Sequence, residues 1–191
     1  MKIMLIRHCE VDERFKNRYN GHNDIGLSKN GELQARELTE KLDALRFDAV
    51  FCSDLRRAKD SLKYSLHVKD AIYDRRLREK SWGRHEGMSF DEIVQKETIE
   101  YRGFLEWIEA LGGEPYKDFV KRVEKFFLEF LPSLKKENIL IITHGGVIRT
   151  LISMFKNISF EDAFSINIPH GSIIRFDTIE KSFIKEDNEH I

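Results

Sequence analysis

Short apolar runs that end abruptly in reactive side chains constrain this chain most. Ile3 to Ile6 runs straight into Arg7-His8, with Cys9 and Glu10 behind. NILIITHGG (138–146) is the plainest buried strand and closes on His144 and two glycines. AVFCS (49–53) is a third short strand. Helical periodicity fills the intervals. Ser28 can cap a helix from about Gly31 to Leu45, with Ala35, Leu38, Leu42 and Leu45 on one face. Asp54 can cap another, with Leu55, Ala58, Leu62 and Leu66 as its apolar side. Phe119, Val123, Phe126, Phe127 and Phe130 mark a long helix that Pro132 should stop. Val147, Ile148, Leu151, Ile152 and Phe155 mark one more, and SIIRFD and SFIKE alternate like a terminal hairpin. Strand and helix alternate for most of the length, which predicts an α/β fold in three layers.

The totals exclude several classes. The 191 residues contain no linker-like stretch and no repeat, so one domain is expected over 1–191, burying about 70% of its unfolded surface. A formal net charge of -1 gives no global field toward nucleic acid. No apolar run approaches the ~18 residues of a membrane span, and the N-terminus starts a strand rather than a signal peptide. Cys9 and Cys52 lack metal-type or redox-type spacing, so reduced thiols in a cytoplasmic protein are expected.

The rest is less regular. Val11 to Gly26 reads as a polar surface loop near the site. Ala71 to Gly87 reads as a short strand and then irregular chain. Ser89 to Leu111 is acidic and aromatic and reads as short helices, broken by Gly112-Gly113. The segment at about 86–113 is expected to be an insertion, and Phe90 to Trp107 within it is either a lid over the site or plain core.

Three strand ends carry Arg7-His8, Arg57 and His144. Two guanidinium forks and two imidazoles would suit a dianionic phosphoryl group. Gly145-Gly146, opening a helix, would add backbone N–H groups and the positive end of its dipole. Each piece alone has a bland reading. A strand-end His is commonly structural, and an Arg in a first helical turn commonly meets a local carboxylate. Glu79 could protonate a departing alkoxide when a bound dianion beside it favours the protonated form, or it could simply pair with Arg76 or Arg78. His8 must stay unprotonated on its attacking nitrogen. Nearby arginines favour that state, and a backbone carbonyl on the other nitrogen would fix the tautomer.

RHCE, SDLRRAKDS, LREKSWGRHEG and ITHGG, in that order, resemble the histidine phosphatase superfamily, which includes the cofactor-dependent phosphoglycerate mutases. The four motifs span His8 to Gly146. The resemblance implies a three-layer α/β/α sandwich around a mixed, mostly parallel central sheet. It implies His8 as the nucleophile that becomes phosphohistidine, with Arg7, Arg57, His144 and Gly145 on the phosphoryl group and Glu79 as proton donor. It also implies no metal and no cofactor. LREKSWGRHEG and GGEPYKDFVKRV are similar to α-ribazole phosphatases in particular, so the implied partner is a small phosphate ester such as α-ribazole 5′-phosphate. Neither nucleic acid nor membrane is implied. A homodimer through an exposed aromatic helix is left open.

Departures from the pattern bear on the substrate. Cys9 stands where the family usually has Gly. Arg14 stands where mutases carry a phosphate-binding Asn, and it is expected to bind phosphate too. His22 replaces a common aromatic. Asn20, Trp82, Arg84 and His85 are expected at the substrate entrance. The chain is short for a mutase, but a mutase remains the alternative enzyme, and a non-catalytic phospho-ligand-binding protein the alternative from another class. A cysteine phosphatase fails because the C-x5-R positions hold Ala58 and Phe15. The seven histidines, His8, His22, His67, His85, His144, His170 and His190, show no metal-hydrolase spacing.

Overall fold

In the strands at the centre of the sheet, successive apolar side chains point to opposite faces, and each face meets its own helices. The computed structural model describes residues 1–97, 99–186 and 191. His190, and Thr98 within the expected insertion, lie outside them. Among the described residues six strands form one mixed sheet in the order β3-β2-β4-β1-β5-β6. They are β1 (Lys2–Arg7), β2 (Ala49–Cys52), β3 (Ala71–Tyr73), β4 (Asn138–Thr143), β5 (Ile173–Asp177) and β6 (Ser182–Lys185). The β3, β2, β4 and β1 strands run parallel, whereas β5 and β6 form an antiparallel hairpin on the β1 edge.

Ile3 and Leu5 of β1, Phe51 of β2, and Ile139 and Ile141 of β4 pack on one side. There they meet Phe119 and Val123 of α5 (Tyr116–Glu124) and Val147, Ile148, Leu151 and Ile152 of α7 (Gly145–Lys156). Ile6, Val50, Cys52, Leu140 and Ile142 face the other way. Their partners are Ala35, Leu38 and Leu42 of α1 (Lys29–Asp43) and Ala58 and Leu62 of α2 (Arg56–Leu62). This is the expected α/β/α sandwich.

The chain leaves β1 for one face and β4 for the other. The carboxyl ends of these adjacent strands therefore bound a crevice of the kind where open α/β sheets bind ligands. Register brings the reactive residues into it. Arg7 lies opposite Thr143, and His8 N donates to Thr143 O at 2.9 Å, so His8 and His144 emerge side by side.

The predicted elements shift in a few places. Ser28 caps α1 as expected, its side chain accepting from Gly31 N, but the helix ends at Asp43 and Leu45 is exposed. Leu55, not Asp54, is the N-cap of α2. The Asp54 carboxylate is taken by a two-pronged pair with Arg78 at 2.6 and 2.7 Å. Leu66 falls past the end of α2 and is 65% exposed. Pro132 does not stop the long helix. A π-helical stretch, Lys125–Phe130, leads into a further turn, α6 (Leu131–Ser133), where proline sits at the start and its missing N–H costs little.

The 86–113 stretch forms α3 (Phe90–Lys96) and α4 (Phe104–Ala110). A capping box closed by Ser89 and Glu92 starts α3. These helices surround a satellite core of Ile93, Trp107, Ile108 and Leu111 with Trp82 and with Phe160 of α8 (Phe160–Ser165). Gly113, at φ +74°, packs against the backbone at Ser81 and Gly83, which leaves no room for a side chain. Among the described residues no helix is long and apolar enough to cross a membrane.

Candidate active site

His8 is 5% exposed and forms part of the floor of a cavity of about 610 Å³. Its Nδ1 lies 2.8 Å from the carbonyl of Cys9, which can only accept, so Nδ1 carries the proton and Nε2 keeps its lone pair. Burial, then the charges of Arg57 and Arg7, hold the imidazole well below its usual range. The ring is neutral near pH 7, as a nucleophile must be.

His144 lies beside it, with ring centroids 5.0 Å apart. Both its nitrogens are engaged, Nδ1 facing Arg57 Nε at 3.3 Å and Nε2 facing Ser53 Oγ at 2.8 Å. Burial and then Arg57 hold it neutral too. Arg57 reaches this pair but does not line the cavity. Its other donors hold the carbonyls of Asn20, Gly21 and Asn23 at 2.6–3.2 Å, and it is 1% exposed. Arg57 thus binds the 20–23 loop to His144 from beneath the floor, and burial lowers it to about 10, still a full cation.

Arg7 does face the cavity. NH1 donates to Ile168 O, and NH2 lies 3.0 Å from His170 Nε2. Among the described residues Nε is buried without a hydrogen-bond partner, and a buried donor of this kind is costly unless an acceptor meets it. Gly145 opens α7 beside it, and Arg149 NH1 approaches the same point. Glu79 also lines the cavity. Its carboxylate accepts from Gly146 N at 2.9 Å and from Lys80 N at 3.0 Å. Arg76 and Arg78 pair with Asp74 and Asp54, so the local pairing that would explain Glu79 away is absent among the described residues.

Of the expected entrance residues, Asn20 and Trp82 line the cavity, with Lys80 Nζ lying 4.4 Å above the Trp82 ring. Arg84 and His85 do not. The Arg84 side chain is 72% exposed and paired with Glu97, while His85 is fully buried between Leu111 O and Glu97. The tight turn at Gly83–His85 throws one outward and the other into the satellite core. Arg14 also misses the site. Asp12 caps its turn and takes its guanidinium through two 3.0 Å bonds, leaving the side chain 81% exposed. His22 Nε2 lies 3.0 Å from Glu79 O, so it supports the Glu79 loop.

Several residues the sequence reading passed over matter here. Ser53 directly follows β2 and orients His144. Arg122 sits inside an amphipathic helix between Phe119 and Val123. Its guanidinium holds the carbonyls of Arg76, Arg78 and Glu79 at 2.7–2.8 Å and pairs with Glu114. Glu86 accepts from the backbone N–H of Gly21, His22 and Trp82, which joins two loops at the rim. For Arg122 and Glu86 the advance signal was a charged residue at an otherwise apolar or turn position; Ser53 carried none.

A family model described as the histidine phosphatase superfamily (branch 1) matches residues 3–187. The chain belongs to this superfamily. An adenosylcobalamin/alpha-ribazole phosphatase of Escherichia coli K12 is 27% identical over 186 residues, covering 95% of this chain and 92% of that protein. A 2,3-bisphosphoglycerate-dependent phosphoglycerate mutase 2 of Gloeobacter violaceus is 29% identical over 186 residues, covering 92% and 84%. The solved structure of the alpha-ribazole phosphatase from Shigella flexneri superposes with a TM-score of 0.80 at 28% identity, covering 93% and 90%. Membership of this histidine phosphatase family and its phosphatase-named relatives make the protein a phosphatase.

Proposed function

We propose that this histidine phosphatase hydrolyses phosphate monoesters through a phosphohistidine at His8, without a metal. The observation that carries the reading is the fixed tautomer of His8, with its bare nitrogen on the cavity floor beside Arg7. In the first step Nε2 attacks phosphorus, the ester P–O bond breaks, and Glu79 gives its proton to the leaving oxygen. In the second, the Glu79 carboxylate takes a proton from water, whose oxygen attacks phosphorus. The P–N bond breaks, releasing phosphate and restoring His8. Arg7 Nε and the N-terminus of α7 at Gly145 would hold the phosphoryl oxygens. Arg57 would supply charge from below and keep His144 and the 20–23 loop in place.

The cavity walls guide the substrate reading. Tyr19, Trp82, Phe104, Trp107, Phe160 and Phe164 surround the space beyond the floor. Its volume of about 610 Å³ falls in the range of about 300–1,000 Å³ seen for pockets that enclose drug-sized ligands. Aromatic walls favour an alcohol with an apolar, planar part over a small sugar acid, which supports α-ribazole 5′-phosphate over phosphoglycerate. The 86–113 segment would act as the lid, since Phe104, Trp107 and Ile108 belong both to its core and to the wall. The buried free thiols of Cys9 and Cys52 suit a cytoplasmic setting.

The test is a substrate panel with α-ribazole 5′-phosphate, phosphoserine, 2- and 3-phosphoglycerate and p-nitrophenyl phosphate, run with and without EDTA. Phosphate release with the highest kcat/KM on the aromatic esters, unaffected by EDTA, is the expected result. Interconversion of the phosphoglycerates outrunning phosphate release would replace this reading with a mutase.

A further inference from the structure

His170 has no part in the chemistry described above, yet it touches both residues at its centre. It belongs to a turn between Ile168 and the start of β5 that is fastened to the catalytic strand end. Gly171 N donates to the carbonyls of Arg7 and His8 at 3.1 and 3.2 Å, and Arg7 N donates back to Ser172 O at 3.1 Å. The imidazole held there lies 5.1 Å, centroid to centroid, from the ring of His8. The His8 ring thus neighbours both His144 and His170.

The contact with Arg7 fixes proton positions. A guanidinium can only donate, so His170 Nε2, 3.0 Å from Arg7 NH2, must carry the lone pair, and Nδ1 must carry the proton. With one N–H of NH2 given to His170 and one of NH1 to Ile168 O, Nε is the one Arg7 nitrogen without a hydrogen-bond partner among the described residues.

We propose that His170 is a positioning residue for phosphoryl transfer, accepting from Arg7 so that Nε faces the substrate and packing on His8 so that its ring cannot tilt. This rests on the phosphohistidine reading above. Burial and the nearby Arg7 charge lower His170 to about 4, so it stays a neutral acceptor in a neutral assay.

The experiment compares His170→Leu, which fills the space without an acceptor, with His170→Gln, whose amide oxygen can take its place, and uses His8→Ala as the reference. Activity on p-nitrophenyl phosphate and inhibition by orthovanadate, an analogue of the transferred group, are measured alongside melting temperature. His170→Leu should lose about tenfold to a hundredfold in kcat/KM, the scale expected when a reacting group is misplaced by about an ångström. It should weaken vanadate binding in parallel, and His170→Gln should recover most of both. Equal losses in the two variants, or a His170→Leu enzyme within twofold of wild type, would overturn the role of His170 while leaving an inactive His8→Ala to uphold the site. Full activity in His8→Ala would instead overturn the site itself. Nitrogen-15 NMR of the wild-type imidazoles gives a check independent of folding. The proposal requires the Nδ1–H tautomer at His170, and an Nε2–H tautomer contradicts it.

Discussion

The Glu79 carboxylate is held by the backbone of Gly146, whose N–H donates to Oε2 at 2.9 Å. The contact joins the loop after β3 to the first turn of α7 and holds the proposed proton donor at the wall of the cavity that His8 also lines. It also explains the second glycine of THGG. A Cβ at position 146 would overlap Oε1 and lie 2.9 Å from Cδ.

Gly146→Ala should therefore displace the acid without harming the fold. Alanine is the better helix residue by up to about 1 kcal/mol, and the overlapped group is the free end of a side chain. The expected outcome is a loss of about 100-fold in kcat with a melting temperature equal to or above that of wild type. Unchanged kcat would show that Glu79 need not sit where Gly146 holds it.

Arg122 is predicted to matter for stability and activity together. Removing its guanidinium takes the side-chain donor from the carbonyls of Arg76 and Arg78, leaves Glu79 O with His22 alone, and strips Glu114 of its ion pair; each buried group left unsatisfied costs about 1–3 kcal/mol. Arg122→Ala should lower the melting temperature by at least about 5 °C and reduce kcat through the loosened Glu79 loop. Glu114→Ala should reproduce only part of either effect. If calorimetry shows no shift for Arg122→Ala, the carbonyl clamp has been misread.

Stability should depend on pH through the buried imidazoles. His8 and His144 are held well below their ordinary value, mainly by burial, and His170 is lowered to about 4. Unfolded histidines take up protons near pH 6.5, whereas these do so only at lower pH. The unfolded state therefore binds more protons in that interval, so stability is full above about 6.5 and declines as pH falls toward 4. Denaturation midpoints in urea between pH 7.5 and 5 should show the decline, and His144→Gln should flatten it. A midpoint independent of pH over that range would count against neutral buried imidazoles.

The two cysteines should be inert in the native protein. Burial raises the Cys9 thiol to about 11 and pushes Cys52 up further, and only the thiolate is an effective nucleophile. Iodoacetamide should leave both unmodified by intact mass and leave phosphatase activity unchanged, with both sites labelling once the chain is unfolded. Rapid native labelling of Cys9 would mean that the floor around His8 opens.

Residues whose place follows from periodicity were legible in the sequence. The alternating apolar residues of β1 and β4 fixed the sandwich and set His8 beside His144, because parallel register leaves a strand-end residue few options. Ser28 was readable because a helix cap is local. Asp54 was not, because its carboxylate was claimed by Arg78, 24 positions away. Arg14, Arg84 and His85 failed for a related reason. Which way a turn residue points depends on tight turns and on carboxylates such as Asp12 and Glu97, and spacing carries no trace of them. Arg57 shows the limit at the site itself. Sequence placed it next to His144 but could not foresee that carbonyls of the 20–23 loop would take its remaining donors.

The most direct measurement is the location of the phosphoryl group in an enzyme quenched during turnover. Protein mixed with a phosphomonoester, stopped in denaturant at alkaline pH and digested should yield one peptide carrying acid-labile phosphate, modified at His8 and absent from His8→Ala. Acid-stable phosphate, or labile phosphate on a peptide without His8, would contradict the account.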